Sequence, residues 1–382
     1  MIKQIFDTID QLYSEYVALW ERTCNLESPT NDKCGVDRVG DLYASMAEAR
    51  GWSVERFMHH VAGNVVCITL NPDAQKAPLT LSGHMDTVHK VGAFGTPAVR
   101  IEGDRIYGPG VTDCKGGIVA AFLAMDAIDR CGFRDRPVRL ILQSDEEGGG
   151  VQSGDATIRY MCEKAADSVG FLNLEGTSDG SVCTSRKGIA TFTLTVHGIA
   201  AHSSLCATSG ASAIAEAAYK IIELEKLKDH DGITCSCTQI KGGETHNTVA
   251  ARCEFKANVR FATEAQLKEA KAYVERVAKT SYVAGTSCDV ILPRVRPALE
   301  FNERNFKLLE SLNRIWAEAG LEIPDTCIGT GGSDAANVSA YGIPALDNLG
   351  TMGDNIHTLD EFGTLSSLIT SARRLASAAV MI

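Results

Sequence analysis

The chain lacks an excess of positive charge: 37 Lys and Arg stand against 48 Asp and Glu, a formal net charge of −11 over 382 residues. That balance repels phosphate backbones and no basic cluster offsets it, which sets nucleic acid aside as a partner and disfavours an anionic membrane surface. An unbroken apolar stretch is missing from the N-terminus, where MIKQIFDTIDQLYSEYVALWERTCNLESPT carries charges among its apolar positions, so no secretory signal is expected. The longest apolar-looking segment, Gly116 to Ala127, is interrupted by Asp126 and is too short to span a bilayer. The 13 cysteines contain no CxxC pair; Cys235 and Cys237 form only a CxC. A disulfide scaffold is therefore not expected, and reduced, mostly buried thiols fit a cytoplasmic protein. Internal repeats and low-complexity tracts are also absent.

What is present can fill a core. Apolar residues make up 45% of the chain and charged residues 22%, and the length suggests two or three domains at roughly 100–200 residues each. Up to about residue 186, short apolar runs alternate with helical patterns. Ile5, Ile9, Leu12 and Tyr16 recur at helical spacing; Asn64 to Leu70, Leu79 to Leu81, Val138 to Leu142 and Val169 to Leu174 read as strands, and Gly116 to Arg130 as a helix. Such alternation predicts an α/β layered domain. After Arg186, Ile189 to Val196 alternates apolar residues with Thr, as a half-exposed antiparallel strand does. A helix from about Ser209 to Lys228, a strand Glu254 to Phe261, a helix Glu264 to Lys279 and a strand Asp289 to Leu292 complete a small α+β module. Pro293 to Pro297 reads as a linker. A helix from about Asn302 to Ala319 and the apolar segment Ile343 to Leu349 then resume the first pattern. The expected division is residues 1–187 and 295–382 as one α/β domain, interrupted by an inserted module at 188–294.

Metal-binding and proton-moving residues follow the apolar runs. LTLSGHMD places His84 and Asp86 after one strand, and VTDCKGG places Asp113 before a helix. VRLILQSDEEGGG ends in Asp145, Glu146 and Glu147, VGFLNLEG in Glu175, and DNLGTMGDNIHTLDEF carries His357. In open α/β sheets the ligand crevice lies beyond the carboxyl ends of the strands. If these strands are parallel neighbours, the groups converge on one cleft as two histidines and several carboxylates, with no cysteine. Zinc accepts imidazole nitrogen and carboxylate oxygen, and a carboxylate at Asp113 could bridge two ions at roughly 3.5–4 Å. Residues two apart on an extended chain point the same way, so Asp86 can hold the second ring nitrogen of His84. Adjacent Glu146 and Glu147 diverge, which lets one bind metal while the other faces water.

A different function class competes at Gly329 to Asp334, where GTGGSD resembles part of a dinucleotide-binding G-x-G-x-x-G. The third glycine is replaced by Asp334 and the preceding IPDTC is a poor strand, which disfavours that reading. Ser333 or Asp334 can instead cap the helix that follows, where backbone amides suit a carboxylate.

The stretches SGHMDTV, YGPGVTDCKGG, DEEGG, NLEG, GIAAHSS, GTGGSDAAN and the late His357 resemble, in order, those of the metallopeptidase M20 family, most closely its glutamate carboxypeptidase branch. The resemblance implies a zinc-dependent exopeptidase-like α/β catalytic domain with an inserted α+β lid and dimerisation domain. It assigns His84 and Glu175 to one zinc, Glu147 and His357 to the other, Asp113 to the bridge, Asp86 to orienting His84 and Glu146 to general base. His202, expected at the start of the module's first helix, becomes an oxyanion donor and Arg260 a clamp on a substrate carboxylate; Asn247, Gly332 and Ser333 are further substrate contacts. Cys114 stands where Met is common, and Ala250 where the lid motif usually has proline. His89, His197, His230 and His246 read as surface or packing residues.

The implied cofactors are two Zn²⁺ per chain, with Co²⁺ or Mn²⁺ as substitutes. The implied reaction releases a C-terminal amino acid from a peptide, or alternatively cleaves an N-acyl amino acid, in a homodimer. A non-catalytic peptide-binding protein on the same scaffold would be expected to lack Glu146 or a zinc ligand, and none is missing.

Overall fold

A computed structural model describes residues 1–292 and 294–382. Contacts divide the chain into one unit of Met1–Thr184, Phe301–Ile328 and Ser333–Ile382, and a second of Ser185–Glu300 with Gly329–Gly332. The second unit therefore starts before residue 188, continues past 294 and takes a short piece near Gly332 as well. An α/β core with an inserted α+β unit is the resulting architecture.

In the first unit, six strands lie in the order Ser53–Phe57, Val65–Leu70, Val138–Gln143, Leu79–His84, Gly170–Asn173 and Ala345–Leu346. The last four run parallel, and Val65–Leu70 pairs antiparallel with both Ser53–Phe57 and Val138–Gln143. Leu79–His84 is buried at every position, as a strand covered by helices on both faces must be, so it reads as a near-continuous apolar run. In register, His84 lies opposite Gln143 and Ser82 opposite Asn173. The strands that precede the acidic turns therefore end at the same edge.

Helices Ile2–Asn25, Gly116–Arg130 and Ser367–Met381 pack into the same core. Ile5, Ile9, Leu12, Tyr16 and Leu19 bury one stripe of the first, the face that a 3.6-residue period predicts. Fully burying an aliphatic side chain of this size contributes about 1.5–3 kcal/mol. Trp20 at the end of that stripe donates its Nε1–H to the carbonyl of Val111 at 2.9 Å, which ties the helix to the loop that presents Asp113. A Cβ on Gly117 would collide with the Leu174 carbonyl, so a glycine there lets the helix approach the strand end carrying Glu175.

The second unit holds a sheet ordered Thr234–Gly242, Arg252–Phe261, Gly188–His197 and Ser287–Ile291, antiparallel throughout. Helices Ala213–Leu224 and Glu264–Lys279 accompany it, capped by the side chains of Ser212 and Thr263. Three expectations are corrected here. Val295–Arg296, read as linker, is a two-residue strand paired antiparallel to Ala190 and Ile189; Pro293 lies outside the described residues. Thr234–Gly242, to which the sequence reading assigns no element, is an edge strand whose outer residues are exposed, so it shows no apolar alternation. Thr326–Gly329 is a strand after all. It precedes the glycine loop and the short helix Asp334–Ala340, which leaves Asp334 in the third glycine's place as the objection to a dinucleotide fingerprint. No helix among the described residues is long and apolar enough to cross a membrane, and the cysteines are free thiols, with Cys34 and Cys206 exposed.

Candidate metal centre and active site

Three strand-end turns and two further loops meet beyond the edge of the parallel strands. His84 is the last residue of its strand and is 1% exposed. Its Nε2 lies 3.0 Å from Asp113 Oδ1 and 3.7 Å from Glu175 Oε1. From the other side, His357 Nε2 lies 3.1 Å from Asp113 Oδ2 and 3.2 Å from Glu147 Oε2. Asp113 thus faces one imidazole with each carboxylate oxygen. The donor atoms of His84, Asp113 and Glu147 form one group within 4.8 Å of one another, as do those of His84, Cys114 and Glu175.

The electrostatics of the cluster call for cations. Burial raises Glu147 to about 7, helped by the charges of Asp113 and Glu146 and opposed by His357. Burial likewise raises Glu175 well above the carboxylate range. Burial would also raise Asp113, but hydrogen bonds from His357 and His84 hold it far below its ordinary value. His357 is raised to about 10 by its bonds to Asp113 and Glu147. His84 is raised well above its ordinary value: burial alone would lower it, and the surrounding acidic groups prevail. Two crowded carboxyls that resist charge, Glu147 and Glu175, beside imidazoles that favour it mark a set short of positive charge. Imidazole and carboxylate are the ligands Zn²⁺ takes, and Asp113 has the two-sided disposition a bridge needs. The residues fit a dinuclear metal centre.

Cys114 corrects the expectation of a cysteine-free cluster. Its Sγ accepts the backbone N–H of His84 at 3.0 Å, and burial pushes the thiol far above its ordinary value. Through that bond the side chain holds the end of the His84 strand.

Asp86 does more than the H-x-D spacing suggested. His84 Nδ1 is 2.9 Å from the backbone oxygen of Asp86 and 3.5 Å from its carboxylate. The carboxylate itself accepts the backbone N–H of Glu146 and of Glu147, each at 3.1 Å, and the hydroxyl of Thr30 at 2.8 Å. Burial pushes its pKa up, but the hydrogen bond and charge of His84 first, then the bonds from Thr30 and the Glu146 N–H, prevail and lower it. One buried side chain therefore sets both a histidine and the tandem glutamates. Glu146 is 6% exposed, and its charge contributes to raising both Glu147 and Glu175.

In the second unit, His202 is exposed and its Nδ1 accepts from Ser204, capping a single turn, Ser203–Leu205. It does not open the first long helix, which starts at Ala213. Asn247 joins it, since its carbonyl accepts the Ser203 N–H at 2.9 Å and His202 bridges Thr248. Arg260 is half-buried, bonded through Nε to Asn258, and sits opposite Ile189, which Arg296 faces from the other side. Burial first, and the Arg296 charge second, lower its pKa, a setting an anion would relieve. Gly332 lies against Arg296 in the same unit. Ser333 belongs to the first unit; it precedes helix Asp334–Ala340 without a capping bond from its hydroxyl.

Two imidazoles facing one carboxylate, each with a further carboxylate beside it, characterise hydrolases with a pair of metal ions. Residues 80–380 match the profile of peptidase family M20/M25/M40, and the chain belongs to that family. It is a metal-dependent hydrolase acting on peptide or acyl-amino-acid bonds. The chain is 28% identical to carboxypeptidase G2 of Pseudomonas sp. (strain RS-16) over 369 residues, 95% of this chain and 87% of the relative. It is 26% identical to succinyl-diaminopimelate desuccinylase of Wolinella succinogenes over 301 residues, 74% and 78% of the two chains. The crystal structure of a tripeptidase from Staphylococcus aureus superposes with a TM-score of 0.78 at 21% identity, covering 97% of this chain and 98% of that one.

Proposed function

We propose that the chain is a dizinc amidohydrolase that cleaves the bond between an acyl group and the nitrogen of an amino acid bearing a free α-carboxylate. His84 and Glu175 would hold one ion, Glu147 and His357 the other, and Asp113 both. When bound, the pair would polarise the scissile carbonyl and ease deprotonation of the attacking water. Co²⁺ or Mn²⁺ would serve as substitutes. The observation that carries this reading is the two-sided contact of Asp113 with His84 and His357.

Glu146 takes a proton from the attacking water and delivers it to the leaving amine nitrogen. Its backbone is fixed by Asp86, so the carboxylate is aimed before substrate arrives. Arg260 receives the α-carboxylate, His202 donates to the carbonyl oxygen as charge develops there, and Asn247, Gly332 and Ser333 line the substrate. Acyl groups that are not peptides suit the likeness to the desuccinylase; a peptidyl group, released by a carboxypeptidase reaction, suits the likeness to carboxypeptidase G2. A screen of N-acyl amino acids against dipeptides, read by mass detection of the free amino acid, separates the two. Cleavage of neither class would defeat the proposal.

The working form is a homodimer. Ile214, Tyr219 and Ile222 on helix Ala213–Leu224 and Ile240 on the edge strand Thr234–Gly242 are exposed. An open edge strand with apolar neighbours is a surface that a second copy would cover.

A further inference from the structure

Beside Asp113 lies a buried carboxylate to which the proposed reaction gives no role. Glu361 is 1% exposed. Its oxygens accept the backbone N–H of Gly110 at 3.1 Å, of Thr112 at 3.0 Å and of Asp113 at 3.1 Å. A fourth contact, 3.1 Å from Oε2, comes from Nε2 of His89, itself 8% exposed and packed edge-on against Phe94. A carboxylate taken out of water is costly unless its lone pairs are filled, and here three amides and an imidazole fill them. The three amides belong to the loop that ends in Asp113, where Gly110 takes a left-handed φ of +71°. The loop is thus folded around Glu361.

The chain positions make that clamp more than a local brace. Glu361 follows His357 by four residues, and the intervening turn is tight, with His357 itself at φ +64°. His89 follows His84 by five. Thr112 adds a second tie to the same segment, its hydroxyl donating to the Phe362 carbonyl at 2.6 Å. Three segments that each carry a proposed ligand, those of His84, Asp113 and His357, therefore converge on one side chain that touches neither ion nor substrate.

We infer that Glu361, seated by His89, is a positioning residue that fixes Asp113 against His357 and so sets the affinity of the metal pair. This rests on the metal-ligand roles proposed above. Partners that orient metal ligands usually matter by about 10–100-fold in affinity. Gln at 361 keeps the shape but turns an N–H toward amide donors, so the loop must open.

The test is a Co²⁺ titration of metal-stripped full-length protein, followed by visible absorption and by calorimetry. Wild type is expected to take up two ions. Glu361→Gln should weaken uptake by about 10–100-fold and alter the Co²⁺ absorption bands. Because that variant could unfold, His89→Phe serves beside it: it removes one donor, keeps an aromatic ring against Phe94, and should weaken uptake in the same direction. His89→Gln, which restores an N–H near the Nε2 position, should recover wild-type affinity. Unchanged affinity and spectra in folded Glu361→Gln and His89→Phe, with two ions bound by wild type, would overturn the inference alone. Absence of any uptake by wild type would instead overturn the metal-ligand reading, and the inference with it.

Discussion

Asp113 directs one carboxylate oxygen to His84 at 3.0 Å and the other to His357 at 3.1 Å, although the two histidines lie 273 positions apart in sequence. The relation follows from the fold. Leu79–His84 ends at the sheet edge, Trp20 and Glu361 fix the Asp113 loop, and His357 lies in the turn between the paired strands Gly353–Asp354 and Phe362–Thr364.

If Asp113 serves both ions, its loss cannot be confined to one of them. Asp113→Ala is expected to reduce bound zinc from two ions per chain to fewer than one, measured by elemental analysis after reconstitution and desalting. Retention of one tightly bound ion would favour two independent sites.

Glu146 is expected to act on protons and not on metal. Glu146→Gln should keep both ions and the wild-type melting temperature while kcat falls by about 10²–10⁴-fold, the range of general acid–base catalysis. Turnover near the wild-type rate would remove Glu146 from the mechanism.

A stability prediction comes from the far side of the core. Asp126, 2% exposed, bonds Arg50, Arg130 and Tyr16 at 2.7–3.1 Å. Burial would raise its pKa, but these bonds prevail and hold it below the ordinary value. A depressed carboxyl stabilises the fold above its unfolded pKa, about 3.9, and that contribution fades as pH falls through the lower folded value. Asp126→Asn should cost about 3 kcal/mol at pH 7 and flatten the loss of stability below pH ~4. Equal acid sensitivity in urea titrations of both proteins would show that the network is not responsible.

If, in the proposed homodimer, each chain's His202 serves the site of the other, a complementation prediction follows. His202→Ala and Glu146→Gln homodimers should each be nearly inactive. Allowed to exchange subunits, they form about half mixed dimers, each with one intact site, so activity should recover to about a quarter of wild type. If His202 worked within its own chain, confirmed exchange would restore nothing.

The legible parts of the sequence were those where one chemical demand writes itself locally. Buried parallel strands must be apolar throughout, so the runs ending at His84, Gln143 and Asn173 were visible, and with them the polar residues at their ends. The Gly116–Arg130 helix was read to the residue because its apolar content and glycine start leave little choice. Thr234–Gly242 escaped because an edge strand with an exposed outer half carries no alternation. Glu361 escaped for a different reason: a lone acid in LDEF is ordinarily solvated, and only the fold brings the amides of Gly110, Thr112 and Asp113 to it. The second task of Asp86 was hidden likewise, since its partners at Glu146 and Glu147 are backbone groups that no residue pattern records.

The most direct test of the functional account compares an N-acyl amino acid with its primary amide as substrates for protein carrying two zinc ions per chain. Release of the free amino acid from the acid, with kcat/KM for the amide lower by a factor equivalent to about 2–5 kcal/mol, is the result expected if Arg260 holds the carboxylate. Equal rates on both substrates, or no cleavage of either with both ions bound, would contradict it.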